Sequence, residues 1–228
     1  MTKKLVVTIL CLAAGVGQPA FAAQLGPYVG GSYGVAESHA EFQTFDNFTV
    51  NLLYPFIQFE PTSHVASLDT EDQGYTGLIG YRITAHFAIE GMFSDMGEVT
   101  YRASSEGSFA GNPPAVADTT IEGRASGVGL YALGIVPFGY RWEVYARGGV
   151  QFTTTGADGR FNDGNFVDAI LDFGRESSTD YVGGVGIAMS IFDIYGARLE
   201  YARVFDAADG SISEGDIDLV SLGFIVAF

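Results

Sequence analysis

The sequence predicts an all-β protein, an eight-stranded antiparallel transmembrane β-barrel with short periplasmic turns and long extracellular loops. Three observations predict it. An export signal stands at the N-terminus, short segments alternate apolar and polar side chains, and the connections between them alternate short and long.

The export signal comes first in the chain. Lys3 and Lys4 precede an apolar run from Leu5 to Val16, and Ala20-Phe21-Ala22 follows as an A-x-A cleavage site. A charged start, a short apolar middle and a small-residue site define a secretory signal. The run is too short for a membrane-spanning helix. The expected division is a signal peptide over 1–22 and one barrel domain over 23–228. Cys11, the one cysteine, falls inside the signal, so the mature chain is expected to hold no disulfide or thiolate site. The full chain has a formal charge of -16, and losing Lys3 and Lys4 takes it to -18. Such a charge opposes nucleic-acid binding. A composition of 47% hydrophobic residues opposes bulk disorder.

Each strand then follows from period-two alternation. The first covers about 27–36, with Val29, Gly31, Tyr33 and Val35 on the lipid face. The second covers 74–83, with Tyr75, Ile79, Tyr81 and Ile83 outward, and the third starts at Phe87 and turns Phe87, Ile89 and Phe93 outward. The fourth, about 124–136, has apolar residues and glycines on both faces, and Val128, Leu130, Ala132 and Val136 form its outward set. In the fifth, Trp142, Val144, Ala146, Val150 and Phe152 alternate with Glu143, Tyr145, Arg147 and Gln151. The sixth sets Tyr181, Val185, Ile187 and Met189 against Asp180, Gly184, Gly186 and Ala188. The seventh sets Tyr195, Leu199, Tyr201 and Phe205 against Arg198 and Glu200. The last turns Val220, Leu222, Phe224, Val226 and Phe228 outward.

A soluble β-sandwich shows the same alternation. The connections decide against it. They are short at 84–86, 137–141 and 192–194 and long at 37–73, 95–123, 156–178 and 206–215, as a barrel with both ends in the periplasm requires. Phe87, Phe138, Tyr140, Trp142, Phe192, Tyr195 and Phe228 gather on the short-turn side, where an interfacial aromatic belt sits.

Glu90, Arg147, Arg198 and Glu200 fall on inward positions, and the interior of eight strands is narrow enough for side chains to fill. Acids and bases enclosed there are expected to pair, because an isolated buried charge is costly. This favours a salt-bridge plug over an ion gate.

These segments resemble the transmembrane domain of the outer-membrane protein A family and its small porin-like, or opacity-type, relatives. The resemblance rests on Gly80-Tyr81-Arg82-Ile83-Thr84-Ala85-His86-Phe87-Ala88-Ile89-Glu90, on Val144-Tyr145-Ala146-Arg147-Gly148-Gly149 and on Gly196-Ala197-Arg198-Leu199-Glu200-Tyr201. It implies a lumen charge network at Glu90, Arg147, Arg198 and Glu200, and a terminal signal for the barrel-assembly machinery at Phe228. Two positions depart from it. Leu133 stands where the family has a lysine, and Gly186 where it has an acid, so the family's switchable gate is incomplete. The family's peptidoglycan-binding domain is not expected after Phe228.

Enzymatic chemistry is not expected. Barrels that act on lipid A need a histidine beside a serine or acid near the outer face. His86 falls at a periplasmic turn, and His39, beside Ser38 and Glu41, falls just past the first strand. Asp206, Asp209 and Glu214 do not fit an EF-hand, so no metal and no cofactor are expected. The loops hold the interaction candidates. Phe45, Phe48, Tyr54 and Phe56 belong to the first, and Phe166 and Phe173 to a stretch over 165–173 that could form a short amphipathic helix. The alternative for both stretches is that they extend the strands above the membrane and pack on each other.

The resulting expectation is a non-enzymatic, monomeric barrel of the Gram-negative outer membrane. It would contribute to envelope structure, contact membrane lipid, and engage lipopolysaccharide or an external partner through its loops. A narrow pore or conduit for small hydrophobic solutes is the alternative, and a lipid A-modifying enzyme the remote one.

Overall fold

The computed structural model describes residues 25–109, 114–162, 168–192, 194–207 and 215–228. The expected signal peptide over 1–22 and Phe166 lie outside the described residues. The strands are β1 (Gly26–Ser38), β2 (Phe59–Asp69), β3 (Glu71–Thr84), β4 (Phe87–Phe109), β5 (Pro114–Phe138), β6 (Trp142–Asn162), β7 (Asp168–Ser190), β8 (Tyr195–Ala207) and β9 (Gly215–Ala227). Between β1 and β2 lie α1 (Phe42–Phe48), one π-helical turn (Thr49–Leu53) and α2 (Tyr54–Phe56).

Eight strands close the ring in the order β1-β3-β4-β5-β6-β7-β8-β9, and every pairing is antiparallel. The seam pairs Tyr28 with Ala227 and Ser38 with Ile217, so first and last strands complete each other's hydrogen bonding. Closure is what a bilayer demands, because no backbone group is left unpaired in hydrocarbon. A closed ring also excludes the two-layer sandwich.

Alternation read from the sequence places the lipid face. Val128, Leu130 and Val136 on β5, Val150 and Phe152 on β6, and Val220, Leu222 and Phe224 on β9 are all exposed. An apolar side chain on that face loses nothing when the solvent is lipid. On β5 the outward set turns polar above Val128, through Ser126, Arg124, Glu122, Thr120 and Asp118. That switch marks the extracellular edge of the hydrocarbon.

The strands run well past that edge. At a rise of about 3.3 Å per residue and a tilt near 40°, the 23 residues of β4 climb roughly 55 Å, about twice a hydrocarbon core of about 30 Å. Expected loops over 95–123 and 156–178 are therefore largely strand, and 168–173 belongs to β7 instead of a helix. Short apolar runs fit either period, and here cross-strand pairing with β6 decides, with Asp172 opposite Asp158. The first long loop also holds a strand. β2 joins the upper edge of β4, from Phe59 opposite Phe109 to Asp69 opposite Thr100.

Bulges mark the change of solvent. The β4–β5 register shifts between Asp95 and Glu98, where Gly97 has φ +76°. Comparable shifts occur in β6–β7 near Gly174 and in β8–β9 near Asp206. The extra residue in β4 reverses its alternation, so Ala88 to Met96 point inward on even numbers, and Val99 to Ser105 on odd ones.

Candidate functional site: a plugged lumen beneath an extracellular sheet

Three strands bring the predicted lumen residues together. Arg198 on β8 donates to Glu90 on β4 at 2.9 Å and 3.5 Å, and also to Glu200. Arg147 on β6 pairs with the other Glu200 oxygen at 3.0 Å. Two phenols complete the acids: Tyr28 of β1 donates to Glu90 at 2.8 Å, and Tyr145 to Glu200 at 2.7 Å. The rings also carry the cations, with Arg147 4.8 Å from the Tyr131 centroid and Arg198 4.9 Å from that of Tyr145. No residue of the charged quartet is more than 6% exposed. Two cations and two anions thus compensate each other in the middle of the barrel.

The two departures from the outer-membrane protein A pattern have a physical place here. Leu133 is buried in the apolar wall of the lumen. Gly186 faces the Tyr145 ring so closely that a Cβ would overlap its phenol. Glycine at that position gives room to the tyrosine that hydrogen-bonds Glu200.

Polar layers flank the quartet. On the extracellular side, Gln151 accepts from Tyr131 at 2.8 Å and from Ser94 at 3.1 Å. On the periplasmic side, Arg82 of β3 reaches across the lumen to Glu143 of β6 at 2.9 Å and donates to the Ala85 carbonyl of its own turn at 2.7 Å. A cavity of about 40 Å³ lies between this pair and the quartet, lined by Tyr28, Glu90, Tyr145 and Arg198 among others. It holds two or three waters at most. The Arg82–Glu143 pair was not among the predicted network, although the inward parity of Glu143 was the signal that could have found it.

The extracellular portion has its own core. Phe45 of α1 stacks on Tyr101 at 5.8 Å, Phe48 meets Phe173 of β7 edge-on at 5.1 Å, and Tyr54 of α2 meets Phe59 at 5.1 Å. The helical segment thus lies in the concave face of the upper sheet. Phe45 and Tyr54 have no exposed surface, which corrects the expectation that they are contact residues. Phe48 and Phe173 pack against the same clusters, while Phe56 remains 84% exposed. A polar chain crosses this core from Tyr54 through Ser105 and His64 to Asp46. Tyr101 donates to the same carboxylate at 2.9 Å, and burial, followed by that bond, raises its phenol above the ordinary value.

At the extracellular rim, Arg203 grips Asp218, and Tyr201 donates to the same carboxylate at 2.8 Å. Partial burial pushes the Asp218 carboxyl up, but the hydrogen bonds from Arg203 and Tyr201 prevail and hold it below the ordinary range. His39 lies 3.8 Å from Asp218 and is half exposed. Arg124 reaches Glu98 at 2.7 Å on the far side of the rim. His86 sits at its periplasmic turn, against the Ile135 carbonyl at 3.1 Å. Phe228 is exposed at the end of the seam, where its amide donates to the Pro27 carbonyl at 3.0 Å. Among the described residues no cluster of three or more metal-ligating side chains occurs.

A closed antiparallel ring with an apolar exterior and a charged, filled interior defines an integral β-barrel of the bacterial outer membrane. The chain belongs to the outer membrane protein β-barrel domain family, whose model matches residues 8–228. Its backbone is similar to neisserial surface protein A, NspA, at 12% identity, covering 89% of this chain and 97% of that one with a TM-score of 0.46. It is similar to Ail, the attachment invasion locus protein of Yersinia pestis, at 11% identity, with 90% and 100% covered and a TM-score of 0.42. It is also similar to OprG from Pseudomonas aeruginosa, at 9% identity, with 90% and 98% covered and a TM-score of 0.44. A comparison with curated proteins gives no match.

Proposed function

We propose that the membrane-embedded barrel is an envelope-structural element, closed to solutes, that holds an extracellular β-sheet rigidly above the outer leaflet and contacts lipopolysaccharide at its rim. The buried quartet Glu90, Arg147, Arg198 and Glu200 carries this reading. It ties β4, β6 and β8 across the lumen, and the Arg82–Glu143 pair adds a second tie below it. A conduit would need a continuous wet path where these side chains pack.

The rim supports the lipid contact. Arg124 and Arg203 stand just beyond the apolar band, at the height of the outer-leaflet phosphates, each held by an acid. The exposed Phe56 and Leu52 at the outer end favour a second reading, contact with an external partner.

Planar-bilayer recording tests closure. The folded protein should give no reproducible opening. Steady conductance that disappears on Arg198→Ala would favour a pore instead. For the lipid contact, the folded form should melt at a higher temperature in vesicles containing lipopolysaccharide than in phospholipid alone, and Arg203→Ala should reduce the difference. Equal melting in both would remove the lipopolysaccharide role.

A further inference from the structure

We propose that Asp46, His64 and Ser105 form a nucleophilic relay in the extracellular sheet, able to cleave a water-borne ester with an apolar acyl group. His64 on β2 and Ser105 on β4 are direct cross-strand partners on the inward face, so the sheet register itself holds them together. His64 Nδ1 lies 2.6 Å from Ser105 Oγ, and His64 Nε2 lies 2.8 Å from Asp46 Oδ1. The order is nucleophile, base and orienting carboxylate, which is the geometric requirement for an activated serine.

The polarity of the chain is fixed by its ends. A carboxylate only accepts, so in the neutral imidazole Nε2 carries the hydrogen and Nδ1 is the acceptor. Ser105 then donates its hydroxyl hydrogen to His64, and Tyr54 donates to Ser105 Oγ at 2.8 Å. Tyr101 steadies Asp46 from the other side at 2.9 Å. Each donor and acceptor has its partner, and the serine proton already points at the base. Among the described residues, His39 meets Asp216 and Asp218 and His86 meets the Ile135 carbonyl, and neither meets a serine. The β2–β4 register brings His64 to Ser105 across a separation of 41 residues, which local spacing does not show.

The surroundings indicate the substrate. Ser105 stands 12 residues beyond Phe93, the last outward apolar residue of β4 below the bulge, or roughly 30 Å above the hydrocarbon at the usual strand rise and tilt. Membrane acyl chains do not reach it. Leu53, Tyr54, Phe59, Phe109 and Phe161 form the adjoining apolar cluster, which suits the acyl part of a soluble ester.

Ser105 is 1% exposed, so the relay acts only when the helical segment over 42–57 lifts. That segment contains a π-helical turn, Thr49–Leu53, and ends at Gln58, a non-glycine residue at φ +58°. Both are conformations of higher energy that gather at moving or functional elements. In the reaction Ser105 Oγ bonds to the ester carbonyl carbon while its proton passes to His64 Nδ1. The alkoxide leaves with that proton. Water then attacks the acyl-serine, gives its proton to His64, and the carboxylic acid departs as the proton returns to Ser105.

A fluorophosphonate probe on the detergent-folded full chain tests this, since its phosphorus takes the serine oxygen and releases fluoride. The label should map to Ser105 and vanish in Ser105→Ala. Tyr54→Ala, which uncovers the serine, and Tyr54→Phe, which removes only the competing hydroxyl, should each label about ten-fold faster than the native chain. His64→Gln in either background should slow labelling by about 100-fold, and hydrolysis of p-nitrophenyl butyrate should follow the same order. Absence of label at Ser105 in both Tyr54 variants, with heat-modifiable gel mobility retained, would overturn the proposal. So would equal labelling with and without His64. These readouts are independent of bilayer conductance, so failure here leaves the closed-barrel reading standing.

Discussion

Replacing Arg198 by methionine removes the cation at the centre of the lumen while keeping most of its stem. Glu200 keeps Arg147 at 3.0 Å and Tyr145 at 2.7 Å. Among the described residues Glu90 keeps only Tyr28, at 2.8 Å, and it is 1% exposed. One buried carboxylate is therefore left without a counter-ion, at a cost of about 3–5 kcal/mol. With a urea slope of about 2 kcal/mol per molar, the unfolding midpoint should fall by roughly 1.5–2.5 M. Urea titration in detergent micelles, read by Trp142 fluorescence and by gel mobility, measures it, and Trp142 is the chain's single tryptophan. The double change Glu90→Gln with Arg198→Met removes both the cation and the orphaned charge, and should recover to within about 1 kcal/mol of the native chain. If Arg198→Met alone unfolds at the native midpoint, or the double variant is no better than the single, the quartet is not a compensated buried network.

Other outcomes follow from the same geometry. Phe45→Ala should open the extracellular core at a local cost of about 3–5 kcal/mol, seen as rapid protease cleavage within 42–57 while the membrane barrel stays folded, whereas Phe56→Ala should leave cleavage unchanged. Gly97→Ala should cost about 1–3 kcal/mol, because φ is +76° and its Cβ would stand 2.8 Å from Asp72 Cβ; chemical denaturation checks it. Leu222→Arg, on the lipid face, should destabilise by about 2–4 kcal/mol, while Val65→Arg on the watery part of β2 should be near neutral in the same titration. At the rim, Asp218 has its carboxyl lowered by Arg203 and Tyr201 against its own desolvation. A lowered carboxyl stabilises the fold above its ordinary value and loses that contribution as pH falls through the folded value. The stability difference between native chain and Arg203→Ala should therefore shrink on acidification below the ordinary aspartate range; a constant difference would contradict the pairing.

The membrane part of this fold was legible because lipid forces a strict rule on each strand. Outward Leu130, Phe152 and Leu222 must be apolar, so alternation located them, and the same parity placed Arg147 and Arg198 in the lumen. Above the hydrocarbon that rule lapses. Outward Thr120 and Glu122 look like loop residues although they are strand, and the bulge at Gly97 reverses the parity of β4 where the lipid signal ends. β2 was hidden for a related reason, since Pro61 interrupts its pattern and its pairing depends on residues some 40 positions away. Over 169–173 a helical period fits the residues as well as a strand does, and only the partner strand β6 settles the choice. The His64–Ser105 contact was illegible for the same cause, being made by register and not by local spacing.

A spin-label scan along β5 from Asp118 to Phe138, on a chain with Cys11 replaced, tests whether hydrocarbon solvates the outer face of the ring. Even positions from Val128 to Val136 should be open to oxygen and closed to a water-soluble nickel complex, with the preference reversing at Arg124 and Glu122, while odd positions stay protected from both. Free access of the nickel complex to Leu130 and Val136 in reconstituted vesicles would contradict it.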